Sequence, residues 1–283
     1  MLLRELKSIE KTGSGYVLHG DAADVLLIFM TDDVIRVRVS FRRDFKEESY
    51  TLVTTAWEDR MDELLKDERT RIKSLDIPCE EKNGKLVFTT GTCILEIRKT
   101  PFFLTLKTLD GAVVYQDLKE RAFEEDHLGR LAHYSKMDPV NDHFYGFGEK
   151  TGCLDKKGRR LRMSPKDAIG HDPEFGDPMY KHIPFYIRIN EKTAYAIGLF
   201  YHNSYDLSLI HILCGRSIVK QKIFCKSNVS VRKIYSGTKD SHDVMSWESF
   251  CTMTGVVHNG CYSYRLPPKG LKELVLTLSL IHI

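Results

Sequence analysis

The residues of this chain best suited to chemistry crowd into one stretch. Residues 144–206 read FYGFGEKTGCLDKKGRRLRMSPKDAIGHDPEFGDPMYKHIPFYIRINEKTAYAIGLFYHNSYD. A turn punctuated by Gly146 and Gly148 ends in Glu149. A basic stretch from Lys156 to Arg162 follows, and then a polar loop dense in Asp, His and Pro. Long polar loops between good strands are costly to order and commonly carry binding or catalytic groups. Asp167 lies in that loop, directly after Lys166. A carboxylate beside cations stays ionised, and an ionised carboxylate accepts hydrogen bonds from sugar hydroxyls. The position also suits a loop-capping aspartate or a surface salt bridge, the commoner use of such a residue.

The other candidates weigh less. Glu149 could be a catalytic carboxylate, but glycoside hydrolysis takes two carboxylates about 5–10 Å apart. Nothing in the sequence fixes a mate for it, so a glutamate accepting backbone N–H groups at a turn is the expectation. His171, Asp172, Glu174 and Asp177 could surround a hard cation. They lack EF-hand spacing, and the Asp-Pro steps at 172–173 and 177–178 read as bends of a solvated turn. No metal and no cofactor are expected. Trp57, Phe185 and Tyr186 could stack on sugars, although aromatics in strands more often fill a core. There is no Gly-x-Ser-x-Gly elbow and no assignable Cys/His pair. No catalytic residue is therefore assigned within the chain.

The elements that must position these residues read as strands. Residues 25–30 (VLLIFM) form an apolar run, and residues 34–41 (VIRVRVSF) alternate. Ile35, Val37, Val39 and Phe41 would face a core, and Arg36, Arg38 and Ser40 would face away from it. Asn83-Gly84 and Asp110-Gly111 are hairpin signals bracketing LVFTT, CILEIRK and FFLTLKT, an antiparallel meander. IPFYIRI and TAYAIGLFYH flank the turn at 190–192 as a further hairpin. Only residues 58–68 and 120–134 carry a helical signal. Many strands without βαβ alternation predict a mostly β sandwich, and GxGxxG and GxxxxGK[ST] are absent.

Composition agrees. The 283 residues are 42% hydrophobic and 29% charged, an ordinary globular balance with material for a core. A net charge of +3 is too small to argue for nucleic acid. No apolar run approaches membrane-spanning length, and the start MLLRELKSIEK has no apolar signal region, so a cytoplasmic location is the expectation. The seven cysteines show no CxxC and no metal spacing. Cys79, Cys93 and Cys153 read as small buried hydrophobes.

One repeat divides the chain. LSLIHI occupies residues 207–212 and again residues 278–283. A structural repeat preserves a pattern, not one identical hexapeptide. These six residues resemble a reading frame of the transposon end used in preparing sequencing libraries. Residues 213–283 also hold 10 Lys+Arg against 4 Asp+Glu, leaving 32 against 35 for the remainder, and they carry four of the cysteines. The expectation is a domain over residues 1–206 and an unassigned, foreign tail over 207–283.

Several pieces of the chain together resemble a known family. They are Phe144 through Glu149, Met163 through Asp167, Asp177-Pro178-Met179-Tyr180 and Ile183-Pro184-Phe185. The ordered set is similar to the N-terminal domain of glycoside hydrolase family 31, which includes α-glucosidases and α-xylosidases. The resemblance covers about residues 1–206. It implies a galactose-mutarotase-like antiparallel β-sandwich packed on a (β/α)₈ barrel that supplies an Asp nucleophile and an Asp acid/base for a retaining mechanism. Asp167 matches the loop aspartate that binds substrate hydroxyls. Ser164-Pro165 stands where the family usually has a bulky aromatic and a polar residue, and the chain shows no trace of the barrel after Asp206. The implied function is the substrate-site-contributing domain of an α-glucosidase-type enzyme, inactive as this chain alone. The alternative is a standalone carbohydrate-binding module or an aldose-mutarotase-like protein. The expected partner is an α-glucoside or oligosaccharide, with no nucleic acid and no membrane.

Overall fold

The computed structural model describes residues 1–45, 52, 54–57, 70–164, 166–202, 207–214, 218–225, 244–245, 264–265 and 273–281. Among the described residues there are strands and no helix. The first eleven strands are β1 (Leu6–Lys11), β2 (Tyr16–Gly20), β3 (Asp24–Phe29), β4 (Val34–Ser40), β5 (Thr54–Thr55), β6 (Thr70–Arg71), β7 (Cys79–Lys82), β8 (Lys85–Thr89), β9 (Cys93–Arg98), β10 (Phe103–Thr108) and β11 (Val113–Gln116). They are followed by β12 (Phe123–Glu125), β13 (Leu131–Met137), β14 (Asp142–Gly148), β15 (Arg160–Met163), β16 (His182–Asn190), β17 (Tyr195–Tyr201), β18 (Leu207–Cys214), β19 (Ile218–Cys225), β20 (Val244–Met245), β21 (Tyr264–Arg265) and β22 (Glu273–Ile281).

Three sheets dominate. An eight-stranded sheet has the order β1-β2-β3-β4-β22-β17-β16-β14. A five-stranded sheet is the meander β11-β10-β9-β8-β7, and a second one runs β12-β13-β19-β18-β15. One hydrophobic cluster joins them, drawing Leu27 and Val37 from the first, Phe88 and Leu104 from the second, and Leu131 and Leu161 from the third. Ring contacts cross the layers: Phe29 and Phe88 lie 5.3 Å apart, and Tyr16 meets Phe88 edge-on at 5.1 Å. This is the sandwich that alternation predicts, because each sheet hides one apolar face against another.

The meander follows its sequence closely. Lys82 pairs with Lys85 across Asn83-Gly84, whose φ angles of 52° and 69° suit the hairpin turn that Asn-Gly favours. Two other expectations are corrected. Residues 120–134 are not helical: Gly129, at φ 70°, and the Asp126 side chain, which accepts from the Leu128 and Arg130 amides, turn β12 back onto β13. Apolar residues on both faces there, Phe123, Leu131, Ala132 and Tyr134, are all buried. Nor are Arg36 and Arg38 on a solvent face, since both are buried in β4. The Arg36 guanidinium lies 3.5 Å over the Trp57 ring, and Arg38 donates to the Phe45 carbonyl. Phe45 and Trp57 therefore cover this face, and a stacked guanidinium tolerates burial. The other helical candidate, residues 58–68, lies outside the described residues. Of the cysteines read as buried, Cys93 is buried, Cys79 half-buried and Cys153 exposed.

Strands from beyond residue 206 enter this architecture. β18 pairs with β15, β19 with β13, and β22 lies between β4 and β17.

Candidate functional site

The site-bearing loops leave the sandwich at the end of β14. Gly146 has φ 118°, and a Cβ there would come within 2.8 Å of the Phe185 carbonyl oxygen. Phe147 takes φ 73°, which is strained for a residue with a side chain, yet its ring is fully buried and stacks on Tyr186 at 4.7 Å. Ring burial offsets the backbone strain. The pairing with β16 breaks register between Gly146 and Gly148. This bulge turns the chain outward, leaving Glu149 exposed with its amide bonded to the Lys181 carbonyl. Tyr186 is core and Phe185 half-buried, and Trp57 carries Arg36.

Lys150 then fastens the loops together. Its ammonium donates to Asp177 Oδ1 and to the Arg162 carbonyl, each at 2.5 Å. The Arg162 amide donates to Asp177 Oδ2, also at 2.5 Å. One carboxylate thus joins the end of β14, strand β15 and the far end of the loop that follows β15. The side chains of Lys150 and Asp177 are only 2% and 12% exposed. Burial lowers the Lys150 pKa, and the bond and charge of Asp177 only partly restore it. Thr151 Oγ1 donates to the Gly176 carbonyl and the Gly152 amide to that of Pro173, which continues the seam. Lys156, also buried, donates to the carbonyls of Thr151 and Cys153.

The loop between Met163 and Asp177 closes on itself. Asp172 Oδ1 accepts the amides of Phe175 and Glu174, which hold its carboxyl below the ordinary range, and its carbonyl accepts from Gly176. Asp172 and Asp177 are therefore turn and seam residues, and among the described residues no cluster of His, Cys, Asp and Glu is arranged to hold a metal ion. Asp167 differs: it is exposed, and among the described residues nothing hydrogen-bonds or pairs with its carboxylate. Sequence reasoning left open whether it capped the loop or bridged to a neighbour, and among the described residues neither bond is present. It missed the Lys150–Asp177 pair altogether, because residues 27 apart give no local signal. The same loops expose Leu154 at 78%, Ile169 at 84% and Phe175 at 70%.

A family model described as the glycosyl hydrolase 31 N-terminal galactose mutarotase-like domain matches residues 24–209. The chain belongs to this family. It is 27% identical over 192 residues to alpha-glucosidase 2 of Bacillus thermoamyloliquefaciens, covering 67% of this chain and 22% of that protein. The chain thus spans about a fifth of that curated relative's length. In fold it is similar to a family 31 dextranase of Flavobacterium johnsoniae complexed with glucose, with a TM-score of 0.65 and 19% identity over 80% of this chain and 25% of that one. A cycloalternan-forming enzyme of Listeria monocytogenes, in complex with a pentasaccharide substrate, gives a TM-score of 0.60 at 12% identity over 98% of this chain and 21% of that one.

Two histidines of this family 31 domain, His133 and His143, are occupied in structural roles. His133 is buried, with Nε2 2.8 Å from Asp117 Oδ1 and Nδ1 2.9 Å from the Tyr201 hydroxyl. Tyr115 joins the same cluster, and Asp117 Oδ2 accepts the Leu104 amide. The group ties β10, β11, β13 and β17 together beneath the surface. His143 pairs with Asp155 at 2.7 Å.

Proposed function

We propose that residues 1–206 form the N-terminal domain of a retaining α-glycosidase of the α-glucosidase type. Asp167 accepts hydrogen bonds from hydroxyls of an α-linked glucoside or oligosaccharide seated mainly on a (β/α)₈ barrel. The observation that carries this reading is the Asp167 carboxylate, exposed and without a described partner, on a loop whose base is closed by Asp177. The kinship with alpha-glucosidase 2 supports the substrate class. The cleavage chemistry belongs to the barrel, because the acids beside Asp167 in sequence, Asp172 and Asp177, hold turns and a lysine. The exposed apolar residues Leu154, Ile169 and Phe175 give that barrel a surface to cover.

The purified chain is accordingly expected not to hydrolyse 4-nitrophenyl α-glucoside, and turnover by it would overturn the assignment. A fusion tests Asp167 directly, with residues 1–206 replacing the matched part of alpha-glucosidase 2. Asp167→Asn should lower kcat/KM of that fusion about 10–100-fold, as expected for losing charge-assisted hydrogen bonds, with Tm unchanged. An unchanged kcat/KM refutes the role. For the chain's organisation, we propose that residues from Leu207 onward are foreign. The repeated hexapeptide and the step in charge support this. An alternating apolar segment can fill a strand position whatever its origin, so the pairing of β18 and β22 does not count against it. Resequencing the locus across the Leu207 codon decides: barrel-coding sequence after Asp206 supports the proposal, and an unbroken match to this chain sinks it.

A further inference from the structure

The meander's outer face, away from the shared core, carries an open groove of about 450 Å³. Register builds it. Leu86, Phe88, Leu95, Ile97, Leu104 and Leu106 point inward and are buried. Their alternates point out: Lys85, Arg98 and Phe103 lie in one row across β8, β9 and β10, and Glu96, Thr105 and Gln116 in the next. Every lining residue is described.

The groove's charge is unbalanced. It contains four cations, Lys85, Arg98, Lys107 and Lys119, and a single carboxylate, Glu96. Glu96 is already taken by Lys85 at 2.9 Å and Lys107 at 2.6 Å. Burial pushes its pKa up, but the two lysines outweigh that and hold the carboxyl below its ordinary value. Among the described residues Arg98 donates only to the carbonyls of Thr100 and Asn83, which leaves its charge without a carboxylate partner there. Lys119 stands exposed on the rim with no described partner. A concave surface lined by one sign of charge concentrates ions of the other. The neutral lining is also specific: the half-buried ring of Phe103 beside Pro101, and the Gln116 amide, whose nitrogen donates to Thr105 and whose oxygen remains able to accept. An aromatic face for C–H groups, an amide for hydroxyls and fixed cations for an anion together match a charged sugar.

We propose that this groove is a second saccharide subsite, one that takes an acidic sugar carrying a carboxylate or phosphate on a pyranose ring. It lies on the meander, apart from the loop after β15, so its occupancy is independent of Asp167.

Calorimetric titration of the full chain at low ionic strength tests it with trigalacturonate, glucose 6-phosphate, maltotriose and triglutamate. One or both acidic sugars should bind, and which of them does identifies the anionic group. Maltotriose and triglutamate should bind at least about tenfold more weakly, since each lacks half of the recognised chemistry. Lys119→Glu, at an exposed position without a described partner, should weaken the acidic sugar about tenfold or more, and Arg98→Gln should do likewise. Asp167→Asn should leave this binding unchanged. The proposal falls if neither acidic sugar binds, if Lys119→Glu has no effect, or if triglutamate binds as tightly, which would mean attraction by charge alone.

Discussion

Lys150→Met and Asp177→Asn probe the seam that holds the Asp167 loop. The two charges meet at 2.5 Å with side chains 2% and 12% exposed. Removing one partner of a buried pair costs about 3–5 kcal/mol, mostly because the other charge stays buried without compensation. Asp177 keeps the Arg162 amide and some contact with water, so Lys150→Met should sit at the lower end, about 3 kcal/mol. Asp177→Asn strands the lysine instead, but a stranded lysine can shed its proton. Burial already holds its pKa below the ordinary 10.5, and losing Asp177 lowers it further. Between that depressed value and 10.5 the unfolded chain binds more protons than the native one, so stability rises with pH through this window. The deficit of Asp177→Asn should therefore be smaller at a pH approaching 10.5 than at neutral pH, whereas that of Lys150→Met should not be. The double variant Lys150→Met/Asp177→Asn buries no charge and should be more stable than either single variant. Urea denaturation of all four proteins at both pH values measures this. Single variants within about 0.5 kcal/mol of the parent, or strictly additive losses in the double variant, would refute the argument.

Two further predictions concern the approach to that seam. Gly146→Ala places a methyl against the Phe185 carbonyl at a φ that suits only glycine, so it should destabilise the domain by about 2–3 kcal/mol in the same urea assay. Asp155 is pushed up by burial, but the amides of Phe144 and Lys157 and the His143 ring outweigh that and hold its pKa below the ordinary 3.8. Its contribution is therefore present above about pH 4 and fades as pH falls through the native value. Asp155→Asn should cost about 1 kcal/mol at pH 6 and progressively less as the pH falls below 3.8, and a pH-independent difference would contradict this.

Much of the meander is written locally. The alternation of LVFTT, CILEIRK and FFLTLKT and the Asn83-Gly84 turn need only neighbours in sequence, and the structure keeps both. The errors came where a second layer decides. Arg36 and Arg38 alternate like solvent-facing residues, yet Trp57 and Phe45, outside their own strand, cover them. Residues 120–134 carry a charged, helix-like signal, but the pairing of β12 with β13 and of β13 with β19, with apolar side chains buried, overrides it.

By itself the sequence determined the sandwich class, the family resemblance and the choice of Asp167. All three rest on residue order and on short-range periodicity, which a chain carries whatever its fold. Tertiary structure decided which acids are spoken for. Asp172 bonds within three residues, but Asp177 finds Lys150 and Arg162 only after two loops meet. It likewise placed four cations and one carboxylate on one outer face. Hydrogen bonds and ion pairs act over a few ångströms, so between residues far apart in sequence they exist only once the backbone has brought them together.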